Sequence, residues 1–181
     1  MQAFIRLAAQ RGLDSTPTRL VASEAGVNEL TLFRLFGDKA TLLRESLRHV
    51  APTEDLSQYA TAIDASTSES AAAGLARCLR HLRDQLRAHR DLLRFALSEM
   101  RHHPELKDEL RAAPLHAGAL IQRALDEAAP QLRPELDRRA AQLSLEGLLL
   151  LTVLWNAEGL LELSDSAWDA LLEGAARNLI R

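Results

Sequence analysis

The stretch GVNELTLFRLFGDKATLL, Gly26 to Leu43, decides how the chain is read, and its neighbours on either side fall into place around it. Gly26 can take a positive φ where the chain reverses between two short helices, a conformation that costs most other residues. Ala22, four residues earlier, is small enough to let the helices approach, and Val27 is expected to plug the angle between them. Asn28 can cap a helix that runs through Leu32 and Phe33 to about Leu35; Gly37 breaks it, and Asp38 can cap the next, which carries Leu42, Leu43 and Leu47. Upstream, Phe4, Ile5, Ala8 and Ala9 form an apolar stripe ending at Gly12. Thr16 before Pro17 is the expected arrangement of an N-cap and first helical position, and Leu20, Val21 and Ala25 would then point inward. Two short helices joined by a tight turn make a helix-turn-helix, a shape that also occurs in proteins that never meet DNA.

Composition sets the class. Hydrophobic residues make up 47% of the 181 and aromatics only 4%, so the core must be built chiefly from Leu and Ala. With Arg and Glu these are good helix formers, which predicts an all-α protein. Seven Lys or Arg against five Asp or Glu give the first fifty residues a net charge of +2, which leaves −5 for the remainder. A mildly basic head on an acidic body suits a DNA-binding module. The single Cys78 cannot form an internal disulfide and is expected to be a packing residue in a reducing, cytoplasmic setting. No signal peptide or membrane partner is read: the apolar run Gly147 to Trp155 is far short of the ~20 residues that span a bilayer and reads as a buried helix. His102 and His103 with Glu105 and His89 are the nearest thing to a metal set, yet adjacent helical histidines point apart, and no H-E-x-x-H or cysteine cluster accompanies them. With no phosphate loop or nucleophile elbow either, neither an enzyme, a metal nor a cofactor is expected.

Beyond His49 the pattern loosens around Pro52, and residues 60–73 predict only a weakly specified helix or loop. Leu75, Leu79, Leu82 and Leu86 then mark a strong helix, with Arg77, Arg80, Arg83 and Arg87 on a face expected to be solvated. Another helix runs from Leu92 to Met100, and a third opens near Pro104 and continues, interrupted at Pro114, to about Ala129. A long helix is predicted over Glu135 to Leu161, and a last one from a Ser164 cap to Ile180. From Leu143 to Leu154 the long helix is apolar nearly all round and needs cover on two sides, one of them expected from a second copy of the chain. Leu148, Leu151, Leu154, Trp168, Leu172, Ala175 and Leu179 are the residues expected in that homodimer, a four-helix interface about a two-fold axis. The division predicted is residues 1–50 and 51–181.

Gly26, Val27, Thr31, Leu32, Phe36, Lys39 and Leu42 resemble the G-V-S-x-x-T-[LF]-Y-x-[HY]-F-x-[SN]-K-E-x-L pattern of the TetR family of transcriptional regulators; Asn28, Phe33 and Asp38 are close substitutes. Ala8, Gly12, Thr16, Arg19 and Ala22 fall in register upstream, the chain entering part-way through the family's first helix, so that the predicted head is a three-helix one with that helix truncated. The resemblance implies a DNA-binding head, residues 1–50, whose helix from Asn28 to Leu35 enters the major groove, and a ligand-binding and dimerisation body, residues 51–181. It places Thr16, Arg19, Asn28, Glu29, Leu30, Thr31, Phe33, Arg34 and Lys39 at the operator. It also implies a largely apolar pocket for a small apolar or amphipathic effector, with Leu92, Phe95, Met100, Leu120, Leu125 and Trp155 as walls and His81, His89, His116 and Asn156 as polar contacts. Repression would then be relieved by an effector that favours another head spacing, with the helix after Asp38 as the lever. Phe33 stands where a phosphate-binding Tyr is usual, Leu35 where His or Tyr is, and Glu29 and Leu30 where Lys and Gly often are. A carboxylate can accept from cytosine N4, which would alter specificity; the same departures suit a second reading, a helical dimer that binds a ligand or protein partner and no longer binds DNA.

Overall fold

The computed structural model describes residues 1–50, 63–99, 102–103 and 107–181, the side chains of Val50 and of residues 107–116 excepted. Nine α-helices lie among these residues: α1 (Gln2–Arg11), α2 (Thr18–Glu24), α3 (Glu29–Phe36), α4 (Lys39–Val50), α5 (Ser68–Ala88), α6 (Arg90–Glu99), α7 (Lys107–Glu127), α8 (Arg138–Ala157) and α9 (Asp165–Leu179). A short 3-10 turn, Ala129–Gln131, follows α7, and the described residues include no strand beyond an isolated bridge between Leu132 and Ile180. The fold is all-α, as leucine and alanine content predicts.

The chain forms two compact units. The first is Met1–Pro52 with His89–Ala113, the second Thr53–Ala88 with Pro114–Arg181. The core of the first unit gathers Phe4, Ile5, Leu7 and Ala8 of α1, Val21 and Ala22 of α2, Leu32 of α3, and Leu42, Leu43 and Leu47 of α4. To these it adds Leu92, Phe95 and Ala96 of α6, with Phe95 fully buried. The helix α6 thus packs on α1 instead of belonging to a separate body beginning at residue 51. Its apolar stripe needs burial, and four short helices by themselves are too small to bury much surface.

The second unit is built on α5, the later part of α7, α8 and α9, around Leu75, Leu79, Leu82, Ile121, Leu125, Leu145, Leu149, Val153, Trp168 and Leu172. Its first helix starts where the sequence reads as weak. The Ser70 backbone N–H donates to the Thr67 hydroxyl at 3.0 Å and the Thr67 N–H to the Ser70 hydroxyl at 3.2 Å, a reciprocal cap. The row of arginines on α5 is not simply solvated. Arg80, Arg83 and Arg87 meet Glu173, Asp169 and Asp165 of α9 at 3.4, 3.0 and 3.1 Å, so the two helices run antiparallel with their charges in register. Arg83 is only 8% exposed and also holds Asp84 at 2.8 Å.

Helix α7 continues through Pro114, where the proline must leave one i→i−4 bond unmade; the boundary between the two units falls at that residue. Helix α8 is shorter than predicted because Asp137 caps it, accepting from the Arg139 and Ala140 N–H groups, and Gly159 at φ +70° follows its end. By length and composition α8 is apolar enough to cross a membrane. Here one face, Ala141, Gln142, Leu145, Leu149 and Val153, packs inward while Leu143, Leu151 and Trp155 stay exposed. The predicted Ser164 cap is present, its hydroxyl accepting from the Ala167 N–H at 3.2 Å.

Candidate nucleic-acid interface

The turn between α2 and α3 is made by Gly26 at φ +67°, with the Val27 N–H returning to the Ala22 carbonyl at 3.0 Å. Val27 itself is exposed and does not plug the angle; the small Ala22 and Leu32 close it from inside. Asn28 caps α3, its side chain accepting from the Leu30 N–H at 2.9 Å. Of the eight residues of α3 only Leu32 is buried, with Phe36 packed beside it, so the opposite face is open. On a helical wheel Leu30 and Arg34 lie across from Leu32 and Phe36, flanked by Thr31 and Phe33. Leu30 is 75% exposed and Phe33 44%. Arg19 on α2 and Arg34 are exposed and make no ion pair among the described residues, whereas Arg6 is paired with Glu24 and Arg48 with Glu45.

Besides Asn28, three of the residues expected at DNA are engaged within the protein. Thr16 is fully buried and its hydroxyl donates to the Gly12 carbonyl at 2.7 Å. It locks the α1–α2 loop and is removed from the operator surface; Pro17, not Thr16, holds the cap position of α2. Lys39 donates from Nζ to the Leu13 carbonyl at 2.7 Å, which ties the start of α4 to that same loop; an ammonium keeps two further donors for phosphate. Glu29 accepts from the Thr18 hydroxyl at 2.6 Å, so its carboxylate is held at the amino end of α3. Thr18 is the residue that sequence reasoning passes over; its place one beyond Pro17, opening a helix opposite an acid at the next helix start, is the only local sign. Asp38 accepts from the Thr41 N–H at 2.7 Å, and these bonds to Thr41 hold its carboxyl below the usual aspartate range.

The residues expected around an effector are divided between the two units. Leu92 and Phe95 fill the core of the first unit, Leu120 and Leu125 that of the second. Trp155 stands on the exposed face of α8, and the Asn156 amide donates to the Leu161 carbonyl at 2.8 Å, closing the loop after α8. Met100 and the His116 side chain lie outside the described residues. The second unit does carry an open groove of about 440 Å³ over α5 and α9, with Ala72, Ala73 and Ala76 on its floor and Arg80, Glu173 and Arg177 at its rim. Among the described residues no group of three or more His, Cys, Asp or Glu is placed to hold a metal. Of the seven residues expected at a dimer interface, Trp168 and Leu172 are fully buried in the second unit's own core, and Ala175 and Leu179 pack against it. A side chain already enclosed has nothing to offer a partner, so those two leave the interface. Leu151 remains exposed, and Leu148 and Leu154 are half-buried.

A short α2, a positive-φ glycine turn and a capped α3 with an open face define a helix-turn-helix head. Residues 1–46 match the sequence model of the family described as bacterial regulatory proteins, tetR family. No curated protein matches the chain by sequence. The whole fold is shared with solved structures of low identity. A linker-substituted mutant of HlyIIR is similar with a TM-score of 0.73 at 13% identity, over 99% of this chain and 92% of that one. NalD, the secondary repressor of the MexAB-OprM multidrug efflux pump in Pseudomonas aeruginosa, gives 0.66 at 23% over 99% and 93%. The fatty acid degradation regulator FadR from Bacillus halodurans gives 0.66 at 20% over 97% and 90%.

Proposed function

We propose that the chain is a ligand-responsive transcriptional repressor, which binds operator DNA as a homodimer and releases it when a small molecule is bound. The observation that carries this reading is the outward face of α3, presented by the Gly26 turn and the Asn28 cap, with Arg19 and Arg34 exposed and unpaired beside it. NalD, whose fold is shared, is a repressor. Dimerisation rests on α8: Leu143, Leu151 and Trp155 form one exposed apolar face opposite the packed one, and an antiparallel partner helix would cover it. For the effector, the α5–α9 groove has the size of a small-molecule site, with alanines along it and, at its rim, Arg80 and Arg177 both paired with Glu173.

Titrating the purified chain with the DNA upstream of its own gene at two salt concentrations tests the reading. A repressor shows affinity that falls steeply with salt, each phosphate contact adding about 0.9 to the log–log slope. Flat, negligible binding contradicts it. That outcome would favour a second reading, a dimer whose head meets a protein partner; the Thr18–Glu29 lock, which sets a carboxylate where phosphate would approach α3, is the observation behind it.

A further inference from the structure

From the open face of α3 we infer that Leu30 reads the C5-methyl group of a thymine in each operator half-site, an inference that rests on the DNA-binding reading above. Leu30 is the second residue of α3, its N–H fastened by the Asn28 cap and its side chain 75% exposed on the face opposite Leu32 and Phe36. It is therefore held rigidly by backbone and left bare by packing. Phe33, one turn on, extends the same apolar surface.

Two features decide what such a surface can meet. The amino end of α3 carries Glu29, whose carboxylate is fixed by Thr18 at 2.6 Å. A fixed anion repels phosphate, so the first turn is a poor seat for the DNA backbone even though helix amino ends ordinarily attract it. Contact with phosphate falls instead to the exposed Arg19 and Arg34 and to the remaining donors of Lys39, which complement the charge of the duplex on either side of this turn in sequence. The first turn is left to face base edges. In the major groove those edges are polar with one exception, the thymine methyl, and an exposed leucine in that groove finds its apolar contact there. Glu29 beside it accepts only, so it tolerates the amino groups of cytosine or adenine and opposes the O6 and N7 acceptors of guanine.

The test uses the full chain. Duplexes enriched from a random pool by the wild-type protein are remade with each thymine replaced in turn by deoxyuridine, which removes the methyl and nothing else. At the position read by Leu30 the wild type should bind about fourfold more weakly without the methyl, the value of one buried carbon. In Leu30→Ala the thymine and deoxyuridine duplexes should bind alike at that position. The substitution lies on an exposed side chain, and an unchanged circular dichroism spectrum and thermal midpoint will show that the head still folds. Sequence-specific binding with no methyl dependence at any thymine, or a dependence that persists in Leu30→Ala, overturns this inference alone. A chain that enriches no sequence overturns it together with the DNA-binding reading, and assigns the apolar face of α3 to a protein partner.

Discussion

Thr16 and Lys39 occupy positions where a helix-turn-helix commonly offers polar groups to phosphate, yet each donates to a backbone carbonyl of the α1–α2 loop, Gly12 and Leu13. Their first task is to hold that loop so that α2 and α3 are presented together. Spacing reveals where such residues fall along a helix, but not whether a nearby carbonyl claims them first; the same holds for Asn156, whose amide is taken by Leu161. Cys78 is the opposite case, since its place in an apolar heptad-like row does tell its fate. It is buried, and burial together with the Glu127 charge pushes its thiol up to about 11. The thiolate is the reactive form, so at neutral pH a thiol reagent should leave the native protein unlabelled and modify Cys78 promptly once the chain is unfolded in guanidinium. Rapid labelling of the native protein would mean that this part of α5 is open.

Helix starts and stops were largely readable from caps and glycines: Gly12, Asn28, Gly37, Asp38 and Ser164 all do what their types suggest. What the pattern does not convey is which core an amphipathic helix joins, because a stripe records that a face is buried and not against what. Helix α6 shows this, its Leu92, Phe95 and Ala96 completing the head. Phe95→Ala should therefore leave a cavity in the head and destabilise it by about 3–5 kcal/mol in a chemical denaturation series. DNA binding should weaken with it, while the dimer proposed to form through α8 stays the same. The Asp38 cap makes a separate prediction for α4. Its carboxyl titrates below the ordinary aspartate value, so the cap's contribution is complete above about pH 4 and is lost as pH falls through the lower folded value. The stability difference between wild type and Asp38→Ala should be constant from neutral pH down to that point and close below it. A difference that grows as pH falls would contradict the cap.

The chain passes between its two units at Pro52–Thr53, Ala88–His89 and Ala113–Pro114. Any effector bound to the second unit thus has three covalent routes to the head, and one of them, α6, is part of the head's own core. The expected lever, the helix after Asp38, is only the first of the three. The open face of α8 gives a test at this level. Leu151 and Trp155 are each 48% exposed, so Leu151→Glu with Trp155→Glu should leave the fold intact. It should move the mass in solution from twice the 20.0 kDa chain to the chain alone. A dimer that persists would place the interface elsewhere.

Hydroxyl-radical footprinting of the full chain on DNA that it selects joins both halves of this picture. Two copies of the head, paired as proposed, should protect two patches of the sugar–phosphate backbone on one side of the duplex, about 34–36 Å or one helical turn apart or a multiple of it. A single patch, or no protection at low salt, would contradict the proposal of a dimer that binds an operator.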